Sequence, residues 1–221
     1  MPHKRRPLDR DEAELRDTSL FVIASEDKHA VEQYFNKFTF RRVKFAILPT
    51  KDTASSPNSV FERIVRFKDE YQFGDDDQFW VVIDTDHWIQ SNHIHNLRYV
   101  LQECFKKKIQ IAISNPCFEL WLLLHFRDCP AGLLACGQCE STLKEVASGY
   151  NKKNIGRLPI TVASVHDAIT RARAIDNGNR IPKLTATRLY KLLEQMNAKG
   201  AMTLTGTQRD DTARSRSSQG K

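Results

Sequence analysis

Three acidic residues stand where the sequence predicts that two buried strands end. Glu26 follows the apolar run "SLFVIAS", and Asp84 and Asp86 close the stretch "FWVVIDTD". Apolar runs without polar alternation are typical of strands buried on both faces, and ligands gather at the carboxyl ends of parallel strands. Carboxylates that meet there suit Mg²⁺ or Mn²⁺, which activate water and offset charge on a phosphate under attack. We therefore expect Asp84 and Asp86 to hold the metal ion and Glu26 to act as a ligand or general base.

The Asp-x-Asp pair is a weak signal when it stands alone. Acids after a strand often cap a helix or face solvent, and the same pair occurs in phosphotransferases and glycosyltransferases. A glutamate at the end of the first strand favours the metal-site interpretation. The sequence has neither a P-loop nor a G-x-G-x-x-G motif, and a phosphatase of the haloacid dehalogenase kind is disfavoured because its nucleophilic aspartate would follow the first strand.

Alternating strand and helix patterns must position these residues. Strands are predicted at 19–25, 43–50, 79–84 and 109–114, and helices at 27–38, 55–67 and 92–107. No hairpin signal is convincing among these segments. The alternation predicts an α/β fold with a mainly parallel sheet, covered by helices on both faces and joined by right-handed crossovers.

The pattern changes after the fourth strand. "NPCFELWLLLHF" is so densely apolar that it predicts a helix buried on most sides, with Asn115 as its cap and Pro116 in its first turn. Further helices are expected around 138–148, 161–175 and 184–196. The predicted organisation is a charged tail (1–18), an α/β core (19–126), a helical C-terminal addition (127–197) and a disordered tail (198–221).

The charge is distributed unevenly along the chain. Residues 151–221 hold 14 Lys and Arg against 5 acids, whereas residues 1–150 hold 20 against 22. A basic surplus favours an anionic partner such as DNA or RNA, and the alternative is a solvated basic surface. The candidate phosphate contacts are Lys152, Lys153, Arg171, Arg173 and Arg180.

Length and composition limit the domain size and the cellular compartment that we expect. A chain of 221 residues suits one compact domain with a small appendage. No apolar run approaches the roughly 18 residues that span a bilayer, and no apolar segment follows the basic start, so neither a membrane partner nor secretion is expected. Five cysteines, an odd number, do not resemble a disulfide framework and favour a reducing cytoplasm.

Glu119 needs a partner because it lies in a very apolar predicted helix. It could be a further metal ligand or an acceptor directed at Asp84 and Asp86, or it could pair with a basic residue or with Asn115. His87 could contact a phosphate or transfer a proton, and a capping or solvent role is the alternative.

A zinc site is a weaker hypothesis. Cys136 and Cys139 form a single C-x-x-C, with Cys129 and His125 upstream as further ligand candidates. Because the usual second pair of ligands is missing, zinc is not expected.

Several motifs together resemble the RloB-like family, Toprim-like proteins of prokaryotic defence loci. The resemblance rests on "ASEDKHAVEQYF", "FWVVIDTDHW", "ISNPCFELWLLLHF", "GYNKKN" and "IPKLTATRLYKLLEQM". It spans roughly residues 19–197 and implies a Toprim-like sheet. It also implies a Mg²⁺-dependent, nuclease-like subunit of abortive infection or antiphage defence, working beside an RloA-like ATPase of the ABC/AAA type. Assembly into a homo-oligomer is left open.

The resemblance also carries residue roles. Glu26 matches the glutamate of the family's first strand, and Asp84 with Asp86 matches its D-x-D. Asn115, Glu119 and His125 fall in its N-P-x-F-E-x-W segment.

The segment after Glu26 departs from the family pattern. The family usually has Gly and then a Thr-Glu pair before its Tyr-Phe, whereas this chain has Asp27, Ala30 and Val31. Loss of the Gly removes a residue that allows positive φ and close backbone approach. This departure motivates the alternative of a catalytically degenerate sensor or scaffold that binds nucleic acid or regulates the ATPase.

Overall fold

A computed structural model describes residues 18–27, 29–48, 50, 56–86, 88, 94–132 and 135–205. The predicted charged tail up to residue 17 and the segment 206–221, predicted to be disordered, lie outside the described residues. The described part is an α/β fold whose seven strands form one mixed, mostly parallel sheet flanked by helices.

The elements follow one another in a simple order. The strands are β1 (Ser19–Ser25), β2 (Phe38–Phe40), β3 (Val43–Leu48), β4 (Gln78–Asp84), β5 (Gln110–Asn115), β6 (Ala186–Thr187) and β7 (Met202–Leu204). The helices are α1 (Ala30–Phe35), α2 (Pro57–Glu70), α3 (Ile94–Lys106), α4 (Phe118–Leu123), α5 (Cys136–Val146), α6 (Val162–Ile175) and α7 (Leu189–Lys199). A short 3₁₀ helix (Ile155–Arg157) lies between α5 and α6.

The four predicted strands form the parallel centre of the sheet, in the order β5-β4-β1-β3. β1 is buried along its whole length, and β4 is buried from Phe79 to Ile83. Helices cover both faces, which explains the continuous apolar runs. Leu20, Val22 and Ala24 pack in the core that includes α2 and α3 residues, while Phe21 and Ile23 face the core that includes residues of α1 and α4–α7.

The structure corrects the expectation that no hairpin is present. The helix predicted over 27–38 ends at Phe35, and Phe38–Phe40 form β2, which pairs antiparallel with β3. Arg42 adopts φ 64° in the tight turn between them. The sequence signal was missed because Arg42 is not one of the turn residues that usually mark positive φ.

The helix predicted to open at Asn115 begins three residues later. Asn115 is the last residue of β5, and Cys117 is the N-cap of α4. The Asn115 amide is used elsewhere, since it donates to the carbonyls of Pro182 at 3.0 Å and Leu184 at 3.1 Å. The prediction of deep burial is confirmed, because all six α4 residues are buried.

The C-terminal third contributes strands as well as helices. β6 pairs antiparallel with β5, and β7 pairs antiparallel with β2, so the two edges of the sheet come from this part of the chain. Residues 198 and 199 complete α7, and β7 follows. None of the helices within the described ranges is long and apolar enough to cross a membrane.

Candidate carboxylate site

The sheet brings the predicted acidic residues to neighbouring strands. β1 and β4 are adjacent and parallel, with Ser25 opposite Val82, and the Glu26 amide donates to the Val82 carbonyl at 3.3 Å. Glu26 therefore follows β1 at the same edge where Asp84 ends β4. The carboxylates interact electrostatically, and charges on Glu26 and Asp86 both raise the pKa of Asp84.

Glu26 has one satisfied and one unsatisfied carboxylate oxygen. Its Oε2 accepts a hydrogen bond from Trp88 Nε1 at 3.0 Å, while Oε1 is buried with no hydrogen-bond partner among the described residues. Burial raises the pKa of Glu26 to about 8, the charge on Asp86 adds to the shift, and the bond from Trp88 opposes it. Glu26 can therefore hold or release a proton near neutral pH.

Asp84 is the electrostatic centre of the site. Burial raises its pKa well above the usual value, and the charges of Glu26, Glu119 and Asp86 raise it further. The backbone N–H of Phe118, at the start of α4, donates to the Asp84 carboxylate and opposes the shift. Several carboxylates close together in little water disfavour one another's ionised forms, and a bound cation would remove this penalty.

The chain after β4 is tied to the chain before α4. Pro116 follows a cis Asn115–Pro116 peptide bond, and its carbonyl accepts from the amides of Thr85 at 3.0 Å and Asp86 at 3.1 Å. These bonds hold the segment that carries Asp86 against the segment that leads to α4.

The side chains of Thr50 and Arg63 support the backbone at Glu26. Thr50 Oγ1 donates to the carbonyls of Ser25 at 2.6 Å and Glu26 at 3.2 Å. Arg63, on α2, donates to Thr50 Oγ1 at 2.9 Å. Neither Thr50, Arg63 nor Trp88 was singled out in the sequence, because nothing in their spacing shows that they approach Glu26.

The donor set at this edge fits a hard divalent cation. Carboxylate oxygens are the ligands that Mg²⁺ and Mn²⁺ prefer, and the buried Glu26 Oε1, which has no partner among the described residues, is an acceptor that a cation would satisfy. Glu26, Asp84 and Asp86 would hold the ion. Within the described residues, the ligand atoms of these three acids do not all lie within 4.8 Å of one another, whereas those of Cys117, Glu119 and Cys136 do.

Glu119 lies beside the carboxylate site and has partners of its own. It is 3% exposed, and its Oε1 lies 3.0 Å from Lys152 Nζ. Cys136 Sγ is 3.5 Å from Oε2. The sequence left open whether Glu119 pairs with a basic residue or is directed at Asp84 and Asp86. The structure shows the ion pair with Lys152, and the Glu119 charge also raises the pKa of Asp84.

His125 and Asn115 are held by the protein interior. His125 is buried, with Nδ1 2.9 Å from the Trp121 carbonyl and Nε2 3.1 Å from Tyr34 Oη. Burial lowers the pKa of His125 to about 4, so the ring is neutral and accepts from Tyr34 through Nε2 when Nδ1 donates to Trp121. Asn115 uses its amide group on backbone carbonyls, as described above. His87 lies outside the described residues.

Most of the candidate phosphate contacts have partners within the chain. Lys152 bridges Glu119 and Glu140, Arg171 pairs with Asp128 at 2.8 Å, and Arg173 pairs with Glu194. Lys153 and Arg180 are exposed. The positive charge of this region is therefore partly offset by neighbouring acids.

The cysteines are arranged differently from the zinc hypothesis. Cys136 forms a disulfide with Cys117, which the cysteine count did not predict, and Cys139 is a buried free thiol. His125 is occupied with Tyr34 and Trp121. Cys136 lies in a disulfide and Cys139 is a buried free thiol, so the two cysteines of the C-x-x-C occupy different environments.

Comparison with known proteins identifies the family of the chain. A family model described as RloB-like protein matches residues 21–196. No significant match is found among curated proteins or among solved structures.

Proposed function

Since the chain belongs to the RloB-like family, we propose that it is a metal-dependent, nuclease-like subunit with a Toprim-like site. The observation that carries the proposal is the group of carboxylates at the carboxyl ends of β1 and β4, where burial and mutual repulsion raise the pKa of Glu26 and of Asp84. Raised carboxyl pKa values, and a buried Glu26 oxygen with no partner within the described ranges, are typical of a site where a bound cation and its phosphate ligand offset the carboxylate charges.

The residues of the chain have distinct roles in this proposal. Asp84 and Asp86 bind the metal ion, and Glu26 binds it or transfers a proton, since its pKa lies near 8. The Trp88 indole orients Glu26, and the Phe118 N–H orients Asp84. Bound Mg²⁺ or Mn²⁺ would activate water and offset charge on the phosphodiester.

The cellular role follows from the family resemblance. We propose that the chain acts on DNA or RNA in prokaryotic antiphage defence or abortive infection, together with an RloA-like ATPase. The basic residues after position 150 would attract the polyanion, and Lys153 and Arg180 are exposed candidates that form no ion pair among the described residues.

Calorimetric titration with Mg²⁺ and Mn²⁺, with DNA and RNA cleavage measured on the same samples, tests the site. Asp84→Asn keeps the side-chain shape and removes a charge, and we expect it to abolish metal binding and cleavage. Asp75→Asn is the matched control, because Asp75 is exposed and precedes the opposite end of β4. Metal affinity and cleavage that are the same in Asp84→Asn as in the wild type would refute the proposed site.

A degenerate sensor or scaffold is the second candidate function. It is favoured by Asp27, which stands in place of the family's usual Gly and accepts from the amides of His29 and Ala30 at the start of α1. The Asp27 carboxylate thus bonds the backbone just before α1, which a Gly at this position could not do. If Asp84→Asn retains full ATPase binding and phage protection, the scaffold function is the better one.

A further inference from the structure

A second group of ligand atoms lies where α4 and α5 begin. Cys117 caps α4, Cys136 opens α5, and Glu119 lies in the first turn of α4. One ligand atom from each of these residues lies within 4.8 Å of the other two. In this structure the two sulfurs are joined in a disulfide, with Cys136 Sγ 3.5 Å from Glu119 Oε2.

The chemistry of this group depends on its oxidation state. Disulfide sulfur is neutral, whereas a thiolate is a strong ligand for thiophilic cations, and Zn²⁺ accepts cysteine sulfur and carboxylate oxygen together. We propose that Cys117, Cys136 and Glu119 form a redox-gated site for a thiophilic divalent cation such as Zn²⁺, which binds only after the disulfide is reduced. This inference uses neither Glu26 nor Asp84, so it stands independently of the proposed nuclease function.

An external dithiol supplies the two electrons that reduce the Cys117–Cys136 disulfide. A thiolate of the dithiol attacks one sulfur of the Cys117–Cys136 bond, and its second thiolate resolves the mixed disulfide. The dithiol is oxidised to its own disulfide, and the protein gains two electrons and two protons as two thiols. Binding of Zn²⁺ then displaces both thiol protons to solvent.

The surrounding charges suit a cation with three anionic ligands. Two thiolates and Glu119 carry three negative charges, and Zn²⁺ with Lys152 supplies three positive ones. Glu119 is a buried carboxylate, whereas the Lys152 side chain is 52% exposed, so the lysine can withdraw from Oε1 without leaving water. Tyr150 Oη is buried with no hydrogen-bond partner of standard geometry among the described residues. Burial raises the pKa of this phenol, and the Glu119 charge adds to the shift.

This ligand set differs from the C-x-x-C hypothesis drawn from the sequence. It joins Cys136 to Cys117, which lies 19 residues away in the chain, instead of to Cys139. Phe118 lies between Cys117 and Glu119 and donates its N–H to Asp84. The thiol site and the carboxylate site therefore share one segment at the start of α4.

Zinc titration of the full chain in both oxidation states tests the proposal. The protein is reduced with a phosphine, freed of reductant without oxygen, and titrated with Zn²⁺ against a chromophoric chelator. We expect the reduced chain to bind one more tightly held ion than the oxidised chain, since any Zn²⁺ on the carboxylate site would be present in both. Co²⁺ in place of Zn²⁺ should give thiolate-to-cobalt charge-transfer absorption in the reduced chain alone.

Variants assign the ligands. Cys117→Ser and Cys136→Ser should each abolish stoichiometric binding, and Glu119→Gln should weaken it by roughly 10- to 100-fold or more, the range for disturbed metal sites. Cys129→Ser is the matched control, since it removes one half-buried free thiol outside the group and should bind normally. Asp75→Asn should also bind normally, because Asp75 is an exposed carboxylate before the opposite end of β4.

Three results would overturn the inference. They are the absence of zinc binding by the reduced wild type, equal binding by the oxidised and reduced chains, and normal binding by a folded Cys117→Ser or Cys136→Ser chain. Circular dichroism reports whether each variant folds. If both serine variants unfold, Glu119→Gln and the comparison of oxidised with reduced wild type still decide the question.

Discussion

The Glu26 carboxylate shows how much a single residue depends on its surroundings. One oxygen binds Trp88 and the other is buried without a partner in the described structure. An ionised carboxylate in this position is costly, which explains why its pKa is raised to about 8. Small changes around Glu26 should therefore alter its protonation at physiological pH.

Trp88→Phe tests this dependence. The substitution keeps an aromatic ring and removes the N–H that stabilises the ionised Glu26, so the pKa of Glu26 should rise further. If Glu26 binds the metal ion, Mg²⁺ affinity near pH 7 should fall by about tenfold, the value of one hydrogen bond to a charged group. The loss should shrink as the pH is raised, because deprotonation then no longer limits binding.

Calorimetric titration with Mg²⁺ at several pH values measures the affinity of both chains. The change of the affinity difference with pH tests whether Trp88 acts through the protonation of Glu26. A loss of affinity that is the same at every pH would mean that Trp88 acts through packing instead. Trp80→Phe is a control with the same chemical change, since the Trp80 indole bonds to Gln78 on β4.

The sequence predicts the acids of the site better than their partners. Glu26 and Asp84 were expected at one edge because each follows a continuous apolar run, and the β1–β4 pairing confirms that the two strands are neighbours. The donors to these acids are an indole from a loop and the backbone N–H of Phe118. Such contacts depend on backbone geometry, which residue spacing does not specify.

At the scale of elements, Gly200 determines how β7 reaches the sheet. Arg41 donates its N–H to the Ala201 carbonyl at 3.1 Å. A Cβ added at Gly200 would lie 1.4 Å from the Arg41 carbonyl oxygen. Only glycine allows this approach between the end of α7 and the turn after β2.

Gly200→Ala should therefore destabilise the protein by about 1–3 kcal/mol or more, the usual cost of overpacking. Gly137→Ala is the matched control, because a Cβ there meets nothing within 4 Å and lies in α5. That change should be neutral or stabilise by up to about 1 kcal/mol. Urea unfolding of the two variants gives the comparison, and equal stability of Gly200→Ala and wild type would contradict it.

Elements with strong periodicity or continuous apolar runs were predictable, and short ones were not. The four parallel strands and the helices α2 and α3 lie close to their predicted positions. β2, β6 and β7 have two or three residues each, too few for alternation to be visible. Their pairing depends on contacts distant in sequence, such as Phe40 with Met202.

For the whole molecule, the raised carboxyl pKa values imply a defined pH dependence of stability. Between pH 6.5 and 8, Glu26 is ionised in the unfolded chain but keeps its proton in the folded one. Unfolding then releases protons, so the free energy of unfolding should fall as the pH rises through this window. His125 contributes only a little there and with the opposite sign, because its folded pKa is about 4 and the ordinary value of 6.5 lies at the lower end of the window.

The free energy of unfolding, measured by thermal unfolding at pH 6.5 and at pH 8 with a chelator present to remove divalent cations, checks this expectation. The wild type should be less stable at pH 8, with Glu26 accounting for about 1.5 kcal/mol of the loss, and Glu26→Gln should lose correspondingly less over the same window. If the carboxylates bind Mg²⁺, the ion should restore more stability at pH 8 than at pH 6.5 in the wild type. A pH dependence identical in both chains would show that Glu26 is not the titrating group.

The two sheet edges have a consequence for the order in which the fold can be completed. β6 and β7 close the edges, and both are made after residue 185. A chain emerging from the ribosome therefore has its whole parallel centre before either edge can be covered. During that interval the open edges of β5 and β2 are available to other nascent chains, so efficient production of this protein depends on fast completion of synthesis or on chaperones that cover exposed strands.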